Sequence, residues 1–116
     1  RSMIEVSDER FEELVDLAFD QVPQQFLDHM RNVVLLIEDF NPDSPYILGL
    51  YHGVALTERT FNHGGLPDSI TIYKGALQNY CNSEEQLVEQ VRVTVLHEIG
   101  HYFGLGEEDL HRLGYA

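Results

Sequence analysis

The sequence predicts an α+β domain, a small mixed sheet packed on helices and organised around one long helix. Three observations carry that reading. Val33-Val34-Leu35-Leu36-Ile37 is a short, partly β-branched apolar run of the kind a buried strand uses. Ser69-Ile70-Thr71-Ile72-Tyr73 alternates polar and apolar residues, which suits a strand with one face on the core and one in solvent. From Ser83 onward, apolar residues recur at helical spacing as far as Phe103.

Taken in order, Ser7 followed by Asp8 and Glu9 marks a helix start, with acids in the first turn favoured by the helix dipole. Phe11, Leu14, Val15, Ala18 and Phe19 then share one face, and Glu12, Glu13, Asp16 and Asp20 form a solvated one. Pro23 opens a second, short helix carrying Phe26, Leu27 and Met30. The apolar run at 33–37 ends in the turn cluster Asn41-Pro42-Asp43-Ser44-Pro45. A second strand is expected from Ile47 to Tyr51, and Thr57 to Asp68, with Gly64-Gly65 and Pro67, reads as a surface loop. After the alternating strand, Ser83 caps the long helix, with Gln86 completing a capping box and Val88, Val91, Val95, Ile99 and Phe103 as its buried stripe. Gly104 stops it, and a last short helix spans Glu107 to Leu113. The order is helix, helix, strand, strand, strand, long helix, short helix, in a single domain over 1–116.

Composition narrows the function. With 43% hydrophobic residues the chain is globular in type, and no apolar run approaches the length of a bilayer span. A formal net charge of −13 sets the surface against phosphate backbones and anionic lipid, so neither nucleic acid nor membrane is an expected partner. Cys81 is the sole cysteine, so no intrachain disulfide holds the fold, and it reads as a packing residue, not a nucleophile. Arg1 and Ser2 precede Met3, which reads as the natural start, and a soluble cytoplasmic protein is expected.

The chemistry lies in His97-Glu98-Ile99-Gly100-His101-Tyr102-Phe103-Gly104. Two histidines four apart on a helix project from nearly the same face and can converge on one ion. Glu98 lies beside them, able to reach a metal-activated water as general base without ligating the metal. This is the H-E-x-x-H arrangement of a zinc-dependent hydrolase of peptide bonds. A third ligand must come from beyond the helix, because two do not make a zinc site. Gly104 can take the positive φ that ends the helix and turns the chain back, which brings Glu107 into range. Glu108, Asp109 and His111 follow the same break and are the alternatives. His29, His52 and His63 carry no partner pattern and read as surface or hydrogen-bonded residues.

On these residues the sequence resembles the zincin metallopeptidases. The metzincin branch has H-E-x-x-H-x-x-G-x-x-H, and Glu107 stands where its last His would be. Closer still is the similarity to small bacterial "minimal zincin" proteins, in which H-E-x-x-H-x-x-G is followed by an acidic third ligand, usually Asp. The resemblance extends through Leu48-Gly49-Leu50-Tyr51-His52-Gly53-Val54 and Leu56-Thr57-Glu58-Arg59. It implies a zincin-like fold, a Zn2+ cofactor on His97, His101 and Glu107, and a peptide or protein substrate. It also implies that the strand near Ile70 to Tyr73 is the sheet edge along which an extended peptide lies. Tyr102, His111 and Tyr115 are the candidates for stabilising a tetrahedral oxyanion. A second reading from the residues is a zinc module without catalysis, whose metal holds a small fold or a protein contact.

Overall fold

The side chain of Ser7 accepts a hydrogen bond from the Arg10 N–H and starts α1 (Asp8–Phe19) where its sequence indicates. The computed structural model describes residues 4–28, 30, 32–53 and 68–113; of the loop expected over Thr57 to Asp68, residues 57–67 lie outside them and Asp68 already begins a strand. Phe11, Leu14, Val15 and Ala18 are buried and the four acids of the opposite face are exposed, so amphipathicity decides how α1 lies on the core. A short α2 (Gln24–Asp28) follows Pro23.

β1 (Val33–Glu38), β2 (Gly49–His52) and β3 (Asp68–Tyr73) form a mixed sheet in the order β1-β3-β2. β1 runs parallel to β3, with Val33 opposite Asp68, and β2 runs antiparallel to it, with Gly49 opposite Ile72. Between β1 and β2 the expected turn is built by Asn41. Its Oδ1 accepts from the Asp43 N–H at 2.7 Å and its Nδ2 donates to the Tyr73 hydroxyl at 2.9 Å.

Two strands differ from their expected environments. β1 is not buried through its length: Val33 and Leu35 pack on the core while Val34, Leu36 and Ile37 are exposed. It pairs on one side only among the described residues and packs one face, so its apolar run is split between core and surface. β3, in turn, is not half solvated, since Thr71 is only 4% exposed. As the central strand it is flanked on both sides, so among the described residues the edges of the sheet are β1 and β2 and not β3.

α3 (Lys74–Tyr80) follows β3 directly and was not expected from the sequence. It lacks a side-chain N-cap, and Lys74-Gly75 resembles a turn more than a helix start. The tertiary fold supports it: Leu77 is fully buried, and the Gln78 side chain accepts from the Val6 N–H at 2.8 Å.

α4 (Glu84–Tyr102) begins at Ser83, whose hydroxyl accepts from the Gln86 N–H at 3.1 Å, while the Gln86 side chain accepts from Asn82 N–H, one residue upstream of the usual box. Arg10 of α1 forks onto Glu84 with bonds of 3.2 and 2.8 Å, tying the starts of the two helices together. The expected stripe is too narrow. Val91, Val95 and Ile99 are buried but Val88 and Phe103 only half so, and Leu87, Thr94, Leu96, Glu98, Gly100 and Tyr102 are buried as well. The cause is that α4 is covered from several directions, by α1, by α3, by β2 and β3, and by α5 (Glu107–Leu113), whose Leu110 is fully buried. No helix among the described residues is long and apolar enough to cross a membrane.

Cys81 caps the end of α3 inside the core, and burial pushes its thiol above the ordinary value. Less of it is thiolate at any given pH, and the thiol is shielded. Native protein at pH 8 is therefore expected to react with a thiol reagent at least about tenfold more slowly than protein unfolded in denaturant. Equal rates would show that Cys81 is accessible.

Candidate metal centre

The last turns of α4 present His97 and His101 on one side, their ring centroids 4.8 Å apart and their Nε2 atoms 3.2 Å apart. Phe103 is the C-cap, and Gly104 takes φ 86°. The Gly104 N–H then bonds the His101 carbonyl and the Leu105 N–H bonds the Gly100 carbonyl, both at 2.9 Å. That pair of bonds is the Schellman ending, and it reverses the chain within a few residues. α5 starts immediately afterwards, and Asp109 reaches back to the Gly106 N–H at its beginning.

Glu107, the first residue of α5, is thereby brought onto the histidine pair. One of its carboxylate oxygens lies 2.8 Å from His101 Nε2 and 3.3 Å from His97 Nε2. Ligand atoms bound to zinc at the usual lengths lie about 3.3 Å apart in a tetrahedral shell. The separations of 3.2, 3.3 and 2.8 Å are close to three edges of such a shell, so the donor set fits the ion in chemistry and in spacing. His97, His101 and Glu107 are the group among the described residues that could hold a metal. His101 Nδ1 lies 3.2 Å from the Leu105 carbonyl, so it can be the protonated nitrogen and leave Nε2 for a metal.

Of the alternatives for the third position, none of Glu108, Asp109 and His111 joins the histidines in that group, and Asp109 is engaged with Gly106 and Arg112. His52 is exposed at the end of β2, whereas His29, His63 and Tyr115 lie outside the described residues. Tyr102 is buried, with its ring edge-on to Tyr51 at 6.0 Å and to Phe103 at 5.3 Å.

Glu98 is 6% exposed, and its carboxylate lies 3.9 Å from His97 Nε2. Burial raises its pKa above the ordinary value, opposed by the nearby His97 and His101 and by the Tyr51 backbone N–H, which bonds it. With Leu48, Gly49, Gln90, Val93, Thr94 and His97 it lines a cleft of about 230 Å³ between α4 and β2. Tyr102 is not among those lining residues.

Two glycines set these distances, and neither was singled out in the sequence. A Cβ on Gly49 would lie 2.6 Å from the Thr94 methyl and 3.6 Å from Glu98 Cγ, so β2 closes onto α4 only because none is there. A Cβ on Gly100 would overlap Leu110, so the same holds for the seating of α5. For Gly100 the available signal was the position itself, since glycine inside a helix costs about 1 kcal/mol relative to alanine and so calls for a packing reason.

A family model described as zincin-like metallopeptidase matches residues 30–115. Among solved structures, a conserved hypothetical protein from T. thermophilus is similar at 25% identity with a TM-score of 0.57, over 92% of this chain and 99% of that one. No curated protein matches the sequence.

Replacing Gly100 by Val would displace Leu110 and with it Glu107. Zinc affinity is expected to fall on the order of 10- to 100-fold, with a stability loss of about 1–3 kcal/mol. Wild-type affinity, measured by competition with a chromophoric chelator, would show that α5 is held by other contacts.

Proposed function

The chain belongs to the zincin-like metallopeptidase family, and on that premise we propose that it is a zinc-dependent peptidase with Glu98 as general base and His97, His101 and Glu107 as the metal ligands. The observation that carries the proposal is the meeting of three ligand atoms from two helices within 4.8 Å of one another, beside a carboxylate that lines a cleft. A bound zinc would supply Lewis acidity and make water acidic enough to be deprotonated near neutral pH.

The protein's own groups do the rest. Glu98, held by the Tyr51 N–H, takes the proton of the attacking water and passes it to the leaving amine. β2 is the strand next to Glu98 and is an outer strand among the described residues, so an extended substrate would pair along it, in place of the β3 edge expected from sequence. Gly49 keeps that strand close enough for the scissile bond to reach Glu98.

The first test is metal content. Purified protein incubated with zinc and desalted should carry about one ion per chain, and His101→Ala should lose it, read by atomic absorption. No zinc in the wild type would end the proposal. The second test separates a catalyst from a non-catalytic zinc module. Glu98→Gln should retain the ion and lose on the order of 10²-fold or more of the turnover of a quenched fluorescent peptide library. A wild type that binds zinc yet cleaves nothing, and that is as stable to heat as Glu98→Gln, would assign the metal a structural role.

A further inference from the structure

On the other side of Leu48 from the cleft lies a second and larger cavity, of about 540 Å³, lined by Pro45, Tyr46, Leu48, Ala76, Asn79 and Tyr80. Leu48 borders both, so the two spaces adjoin across one side chain. None of the six lining residues carries a charge, on a protein whose net charge is −13. Tyr46 and Tyr80 are 86% and 65% exposed, the largest values among the exposed large apolar residues described. Two such aromatic rings beside one uncharged hollow make a feature that folding alone does not require.

The hollow has anchored walls. Tyr46 follows the Asn41–Ser44 turn, and its N–H donates to the Ser44 hydroxyl at 3.2 Å. Tyr80 ends α3, which is anchored beneath by fully buried Leu77 and by Cys81. The Leu48 carbonyl accepts from the Tyr73 N–H at 3.0 Å, which fixes the ridge between the two cavities.

We propose that this cavity is a substrate subsite that takes an aromatic or large apolar side chain of the peptide, a few residues from the bond that is cut. The inference rests on the peptidase reading for its orientation. A peptide extended along β2 advances about 3.3 Å per residue. The hollow adjoins the Glu98 cleft across Leu48, the residue just before β2, so a side chain a few positions from the scissile bond comes over it. The Tyr46 and Tyr80 rings then flank an apolar group and bury area that an alanine would leave exposed. The uncharged lining leaves an acidic or basic side chain without a counter-charge there.

The test uses acetylated, amidated alanine-rich decapeptides in which one Phe is moved position by position. Binding to zinc-loaded Glu98→Gln protein is followed by NMR line shifts, and cleavage by the wild type is measured in parallel. The expected result is a Phe position at which the peptide binds about tenfold more tightly than its all-alanine parent, shifting the Tyr46 and Tyr80 ring signals. That preference should shrink toward one in Tyr46→Ala and in Tyr80→Ala, whose side chains are too exposed to hold the core. Equal binding of Phe and Ala peptides, or a preference that survives both substitutions, overturns the subsite. Cleavage without the preference leaves the peptidase reading standing and removes this one, whereas Phe-dependent binding at the tyrosines without cleavage overturns both, leaving the hollow a peptide-binding site and not a subsite of a peptidase.

Discussion

The contact between Leu110 and the bare backbone of Gly100 is the constraint on which the candidate metal centre depends. Helix α4 by itself supplies two imidazoles on one face and a carboxylate beside them, and nothing in that helix can provide the third donor. The short α5 is anchored by Leu110, the one fully buried side chain among its described residues. That side chain fits only because the residue between Glu98 and His101 that faces it has no Cβ. The glycine thus converts a two-residue motif into a three-residue site. Its position inside a helix costs about 1 kcal/mol of intrinsic propensity, which the packing of α5 offsets.

The Schellman ending works with the same contact. A helix that ended less sharply would carry residue 107 away from the histidines. Here the two 2.9 Å bonds at Gly104 and Leu105 satisfy carbonyls of the last turn and turn the chain back on itself. The Leu105 carbonyl produced by that turn also faces His101 Nδ1, so one backbone conformation brings Glu107 to the histidines and offers an acceptor to the Nδ1-protonated form of His101. On the other side of α4, β2 comes close through Gly49, and the Tyr51 N–H bonds Glu98. Two close approaches, one on either side of a single helix, therefore shape both the candidate ligand group and the environment of the proposed base.

The burial of α4 follows from this geometry. An amphipathic helix on a sheet would show one apolar stripe, as its valines and isoleucine suggested. Because α1, α3, α5 and the sheet all lean on it, polar residues such as Thr94 and Glu98 are enclosed too. A buried carboxylate is costly unless it is partnered, and Glu98 has the Tyr51 N–H and the adjacent histidines. The strand order makes β2, not β3, the outer strand nearest the site among the described residues.

Local patterns determined much of this protein. The caps at Ser7 and Ser83, the turn at Asn41, the stop at Gly104 and the pairing of His97 with His101 all depend on residues within a few positions of one another. Such short-range chemistry is written directly in the order of side chains. The choice of Glu107 over Glu108, Asp109 and His111 as the group facing the histidines was narrowed by spacing but decided by the direction in which α5 docks. Tertiary structure alone decided the rest. Helix α3 has no local signal and exists because Leu77 and Gln78 find partners far away in sequence. The exposed half of β1, the enclosure of Thr71 and the edge position of β2 depend on strand order, which no single segment encodes. A run of apolar residues specifies that something must be covered, but only the assembled neighbours specify what covers it.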